Sequence, residues 1–252
     1  MKWRLLALAL LALLPCRAGA VGADVRQLIV AIAPTWDSMQ GSLQRFHRDG
    51  PGQEWQADSA PIPVLFGKNG LAWGRGLEPT PPDGLHKHER DGRAPAGLFA
   101  IGTIYTYDAA LPPGADYPFH QVTGADAWID DVTSPDYNRF VTIPDPAHPP
   151  AWFEKAKMRQ GDFAYRWLVE IRANSDPPAP GEGSAIFFHI RRGEKRPTSG
   201  CTTMAEPDLA RLVSWLRAAD HPRYVLLPAS EYSRLWQSWG LPEPGKLAPM
   251  HP

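Results

Sequence analysis

Apolar positions fall in short runs broken by glycine and proline, with helical spacing confined to the C-terminal quarter. Val25 to Ile32 is apolar almost throughout, Gly41 to His47 alternates, and Arg48-Asp49-Gly50-Pro51-Gly52 is a strong turn, so two antiparallel strands are expected. Ile62 to Phe66 predicts another strand, ending at Gly67, and residues 67–96 read as a long covering loop rich in glycine, proline and charge. Strand character returns over Gly97 to Tyr107. Residues 108–160 hold many prolines and scattered Trp128, Tyr137, Phe140 and Trp152 without clear period, the pattern of an insertion packed on the core. Tyr165 to Ile171 and Ala185 to Ile190 predict neighbouring strands around Asn174-Ser175-Asp176-Pro177-Pro178. From Pro207, the spacing of Leu209, Leu212, Val213 and Leu216 predicts a helix with proline in its first turn. Tyr224 to Leu227 is a last strand, and Ser230 is expected to cap a helix through Trp239, stopped by Gly240-Leu241-Pro242. The expectation is a single, mainly β domain over residues 21–252 with a few helices.

Composition supports a loop-rich globular chain: 252 residues with 22 Gly, 28 Pro and 10 Trp. A net charge of −1 provides no global positive field for a polyanion, which argues against nucleic acid as a partner. The cations Lys2 and Arg4, the apolar run Leu5 to Leu14 and the small residues Ala18-Gly19-Ala20 form a secretory leader, cut after Ala20. The apolar run is too short to span a bilayer, so an exported, periplasmic protein without an integral membrane segment is expected. Cys16 would leave with the leader. Cys201 then remains alone in an oxidising compartment, unable to form an internal disulfide.

The segment from Phe187 to Met204 carries the candidate chemistry. His189 ends a predicted strand, and Cys201 follows twelve residues later after a loop and just before a helix, an order that suits a nucleophile and its base. A free thiol ionises near pH 8.5, so nearby imidazole and cations are needed to populate the thiolate; Arg191, Arg192, Lys195 and Arg196 are positioned in sequence to supply them. Gly200 permits a tight turn that would aim the N–H groups of Gly200 and Cys201 at an oxyanion.

These residues resemble the active-site signature of the YkuD-type L,D-transpeptidases, a histidine followed by a variable loop and Ser/Thr-His-Gly-Cys. Thr198-Ser199-Gly200-Cys201 matches three of those four positions, and Gly92-Arg93-Ala94-Pro95-Ala96-Gly97-Leu98-Phe99 resembles the family's Thr-Pro-x-Gly-x-Phe element. Ser199 replaces the family's second histidine, Thr203 replaces an Arg or Asn, and the loop after His189 is shorter. The similarity is closest to a proteobacterial branch with Thr-x-Gly-Cys-Thr-x-Met. It implies a β-sandwich with a helix following the catalytic cysteine, Cys201 as nucleophile, His189 as base oriented by the Ile190 carbonyl, and Gly200 with Cys201 as oxyanion hole. Arg191, Arg192, Ser199 and Thr203 would then contact substrate.

The activity implied is peptidoglycan transpeptidation. Cys201 would take an acyl group from the L-centre of diaminopimelate in a donor stem, and an acceptor stem amine would resolve the thioester as a 3-3 or L-Ala-type 1-3 crosslink. Water in place of the amine gives an L,D-carboxypeptidase or endopeptidase. The ten tryptophans admit a different class, a non-catalytic module that grips cell-wall glycan by stacking. No cofactor is expected: Gly67-Lys68-Asn69-Gly70 and Trp73-Gly74-Arg75-Gly76 lack the phosphate-loop patterns. His86-Lys87-His88-Glu89 lacks the spacing of a zinc site and reads as a loop charge cluster, so no metal is expected. Trp128-Ile129-Asp130-Asp131 and Tyr137-Asn138-Arg139 are packing and turn residues or line the cleft, the acids meeting an amine. A monomer is expected, with stem peptides as its partners.

Overall fold

The computed structural model describes residues 21–248; the leader expected over residues 1–20 lies outside them. Thirteen strands follow in chain order: β1 Gln27–Ala33, β2 Gln40–His47, β3 Gln56–Ala57, β4 Ile62–Leu65, β5 Leu71–Trp73, β6 Ala94–Thr106, β7 Phe119–Gln121, β8 Asp126–Trp128, β9 Phe140–Thr142, β10 Trp167–Ile171, β11 Phe187–Ile190, β12 Thr202–Met204 and β13 Arg223–Pro228. The helices are α1 Phe153–Ala156, α2 Glu206–Trp215 and α3 Ala229–Trp239. The protein is mainly β.

One continuous path of pairing runs β1-β13-β6-β10-β11-β12-β4-β2, and β2 pairs back onto β1, so the path closes on itself. Closure leaves the strands of this ring no free edge for another chain to extend. It also explains why β1 is apolar from Leu28 to Ala33: every one of its seven residues is buried, flanked by β2 on one side and β13, parallel to it, on the other, and the one polar side chain, Gln27, is bonded to Trp215 O and the Arg217 N–H. Strand β2 borders solvent on one face and buries only Leu43, Gln44 and Phe46. The main apolar cluster gathers Leu28, Val30, Leu43, Phe46, Leu98, Phe188 and Val225 with Leu209, Leu212 and Val213 of α2. Complete burial of a side chain such as Phe188 is worth roughly 1.5–3 kcal/mol, so this cluster dominates stability.

The expected helices form, with different ends. Pro207 sits in the first turn of α2, and Leu216 provides its C-cap. Helix α3 begins two residues earlier than anticipated, with Pro228 at the N-cap and Ser230 inside the first turn; no side chain caps it. Gly240 ends it at φ 70°, a left-handed conformation that glycine adopts without strain.

The two segments read as irregular carry structure. The loop over residues 67–96 includes β5, paired parallel with the start of β6, which begins three residues before Gly97. The insertion over residues 108–160 adds β7 to β6 and folds β8 and β9 into a separate two-stranded sheet. That sheet has its own apolar cluster of Ala127, Ile129, Ile143 and Phe153. An aromatic seam fastens it to the main sheet: Trp128 meets Phe187 edge-to-face at 4.9 Å between centroids, and Tyr105 lies 5.0 Å from Phe140. Such pairs contribute about 0.5–1.5 kcal/mol each beyond area burial.

Candidate active site

β11 and β12 are parallel neighbours, with Phe188 opposite Thr202, His189 opposite Thr203 and Ile190 opposite Met204. Alternation therefore sends Phe188, Ile190 and Met204 into the main core. His189 and Phe187 take the other face, where Phe187 and Cys201 join the small cluster beneath the insertion. A three-residue strand, β12, thus stands between Cys201 and α2, where the sequence suggested a direct entry into the helix.

The turn before Cys201 is tied down by Thr198. Its backbone N–H donates to Phe66 O and its carbonyl accepts from Lys68 N, both at 2.8 Å. Its hydroxyl donates to Cys201 O at 2.6 Å and accepts the Gly200 N–H at 3.0 Å. Gly200 is required here, since at φ 156° a Cβ would lie 3.0 Å from Arg93 O and 3.2 Å from Ile186 Cδ1. The same turn corrects the expected oxyanion pair: the Gly200 N–H is already committed to Thr198, which leaves the Cys201 N–H of the two.

His189 is only 2% exposed. Its Nδ1 donates to Ile190 O at 2.9 Å, which makes Nε2 the accepting nitrogen of the neutral ring. Tyr165 packs edge-on against the imidazole at 5.3 Å, Arg192 stacks over Tyr165 at 4.7 Å, and Asp162 holds the Arg192 Nε at 2.9 Å. Asp162 is itself fixed by accepting the Ala164 N–H at 2.9 Å. Burial pushes the His189 pKa down to about 4, against the Ile190 bond, which favours the charged form.

The Cys201 thiol contacts Ala185 O at 3.4 Å. Burial pushes its pKa up to about 11, while the Phe187 N–H and the charges of Lys87 and Arg192 pull in the opposite direction. Both shifts favour the neutral forms, a thiol and an uncharged imidazole lining one cavity, with the sulfur bonded to Ala185 O and not to His189. Of the cations in the 191–196 loop, Arg192 acts on the thiol in favour of its charged form, and desolvation acts against it.

Ala185 adopts φ 55°, a costly conformation for a residue with a Cβ. Asn138 imposes it. The Asn138 Oδ1 accepts the Ala185 N–H and the Trp128 Nε1–H, each at 3.0 Å, and its Nδ2 donates to Ala173 O and Asn174 O. Asn138 therefore belongs to the structure behind the thiol's partner carbonyl, whereas Arg139 is exposed. Tyr137 is buried and its hydroxyl donates to Glu89, joining the insertion to the 86–91 loop.

Two cavities meet at Cys201. The larger, about 520 Å³, is lined by His189, Arg192, Ser199, Lys68, Lys87 and Glu89, among others, and is rich in cations. The smaller, about 210 Å³, lies under the insertion between Trp128, Met158, Phe187, Leu168 and Lys155. A bigger groove of about 900 Å³ runs past Trp73, Leu77 and Leu85 and contains neither Cys201 nor His189.

The remaining expected contacts separate clearly. Arg192 reaches the larger cavity, but its Nε and one terminal nitrogen are taken by Asp162. Ser199 is exposed on the wall of that cavity. Arg191 lines a different groove, with Pro61, Pro63 and Glu194, and so leaves the candidate site. Thr203 is 1% exposed and lies outside both cavity walls, with its hydroxyl buried and unpartnered. In place of these, Lys87 enters. It is 5% exposed, its Nζ donates to Asp91 and to His88 O, and its Cε would sit 3.8 Å from a Cβ on Gly200. Nothing in the His86 to Glu89 pattern distinguishes an inward lysine from a solvated one.

Among the described residues no group of three or more His, Cys, Asp or Glu side chains is placed to hold a metal ion, and no helix is long and apolar enough to cross a membrane. Comparison of the chain with known protein families, curated proteins and solved structures finds no match.

Proposed function

We propose that the protein is an exported cysteine acyltransferase of the YkuD type, an L,D-transpeptidase acting on peptidoglycan stem peptides. The observation that carries the reading is the pairing of β11 with β12, which puts His189 and Cys201 on one face and in one cavity, with the His189 tautomer set by Ile190 O. The finer fold belongs to the same proposal: two halves of the closed strand path would form the sandwich, with α2 following the cysteine.

In this reading the thiol proton moves to His189 Nε2 as sulfur attacks the amide carbonyl after the L-centre of diaminopimelate. The Cys201 N–H faces the developing oxyanion, and His189 returns the proton to the departing D-alanine amine. The neutral resting pair suits such a sequence, because charge develops only when substrate has displaced water. The larger cavity, with Lys68, Lys87, Arg90, Arg192 and Arg196 against Glu89 and Asp130, has the sign of charge that a carboxylate-bearing stem requires.

The test is mass spectrometry of purified disaccharide-tetrapeptides and pentapeptides incubated with the mature protein and with Cys201→Ala. Cys201-dependent dimers establish the transpeptidase, and their fragmentation identifies the joined residues. Shortened monomers alone make the protein a hydrolase. No change in either sample, with folded protein, overturns the enzymatic reading in favour of a glycan-binding module.

A further inference from the structure

Four residues line both cavities: Asp130, Tyr165, Ala185 and Cys201. Of these, Asp130 alone is a carboxylic side chain. Neighbouring acids are all occupied: Asp126 accepts from His120, Thr123 and Thr142, Asp131 from Thr133, Asp162 from Arg192 and Glu89 from Tyr137. Asp130 is half-buried and, among the described residues, its carboxylate takes part in no hydrogen bond or ion pair. On the wall of the smaller cavity stands Lys155, whose ammonium likewise has no partner among the described residues, whereas Lys157 is paired with Glu154.

We propose that Asp130 is the specificity-determining residue for the acceptor: its carboxylate seats an ammonium group at the junction of the two cavities, and Lys155 receives the carboxylate next to that amine. The inference rests on the acyltransferase reading and deepens it. The acceptor class is an α-amino acid group, as at the free centre of diaminopimelate, entering through the smaller cavity while the acyl group occupies the larger one.

The step balances without a further reactant. The ammonium held by Asp130 gives one proton to solvent, and the free amine nitrogen attacks the thioester carbonyl. A C–N bond forms and the C–S bond breaks; the second nitrogen proton passes through His189 to the leaving sulfur, which regenerates the thiol. Water can attack the same carbonyl, so the amide-to-acid ratio reports how well the amine is seated.

The experiment uses the mature protein with disaccharide-tetrapeptide as donor and either free diaminopimelate or hydroxylamine as acceptor. D-Alanine release measures acylation, and the ratio of amide or hydroxamate to shortened stem measures partition. Hydroxylamine is uncharged at neutral pH and carries no carboxylate. For Asp130→Asn the expected result is about a tenfold fall in the diaminopimelate ratio, the size of one lost charge-assisted bond, with the hydroxylamine ratio unchanged. Lys155→Met should lower the diaminopimelate ratio less and spare hydroxylamine as well. Equal ratios for wild type and Asp130→Asn with diaminopimelate, while D-alanine release persists, overturn the role of Asp130 alone. A parallel fall for both acceptors overturns it too, since that marks a damaged site. Absence of D-alanine release by the wild type removes the acyltransferase reading and this one with it.

Discussion

The two walls of the candidate site are held in different ways. On the sheet side, His189 and Cys201 are placed by backbone register: strand pairing fixes which residues face the cavity, and the core cluster around Phe188 keeps those strands in place. On the insertion side, β8 and β9 have little apolar mass of their own, and position comes from buried polar groups. Asp126, fully buried, accepts from His120, both donors of Thr123 and the Thr142 hydroxyl. Asn138 satisfies four partners, three of them across the seam. Register is a cooperative property of the whole sheet, whereas a polar clamp depends on single side chains and fails locally.

The contrast breaks first at Asn138. Asn138→Ala leaves several buried donors and acceptors unpaired and is expected to cost about 3–4 kcal/mol of insertion docking. Hydrogen exchange should accelerate across residues 126–142 and at Ala185 while β1 and β13 stay protected. Uniform loss of protection in β1 would show that the two regions unfold as one.

The sheet side responds to acid. His189 has a folded pKa of about 4 against an unfolded value of about 6.5, so as pH falls the unfolded chain takes up the proton first. Stability contributed above pH 6.5 is lost between 6.5 and 4, to the extent of roughly 3 kcal/mol. Urea denaturation of wild type and His189→Gln across that window should show the slope in the first and its absence in the second. Equal slopes would place the titration elsewhere.

The smallest effect belongs to Asp126. Burial works to raise its pKa, but the bonds from Thr123, Thr142 and His120 outweigh it and hold the carboxyl below its ordinary value. Its contribution is present above about pH 4, the unfolded value, and is lost as pH falls through the lower folded one. Asp126→Asn should cost about 1–2 kcal/mol at neutral pH, seen as faster exchange of the β8–β9 hairpin alone. A change in global midpoint of the same size would contradict a local role.

Legibility in the sequence follows the same division. The long sheet strands announce themselves, because a strand buried on both faces, such as β1, is apolar along nearly its whole length, here from Leu28 to Ala33. That His189 and Cys201 come to one cavity was legible through their spacing and type. The strands β5, β8, β9 and β12 are three residues each, too short for an alternation to register, and their pairing partners lie far away in sequence or across loops. Lys87, Asp130 and Asn138 act through where the fold puts them, and a polar residue in a loop looks the same in sequence whether it points inward or out. Arg191 and Arg192 are adjacent and equally basic, yet strand direction sends them to different grooves.

One feature of the ring bears on how the chain tolerates change. The connection from β11 to β12 re-enters the sheet at the cysteine itself, anchored at its start by Arg191 and Arg192 and at its end by Thr198 and Gly200. Residues added around the exposed stretch from Glu194 to Arg196 have room to bulge into solvent and leave the anchor intact. A single residue added or removed between Thr198 and Thr202 would shift the strand by one position, turning the sulfur toward the apolar interior and a threonine toward the cavity. Length variation in this loop is therefore free on one side of Thr198 and forbidden on the other, a boundary that a library of insertions would draw directly.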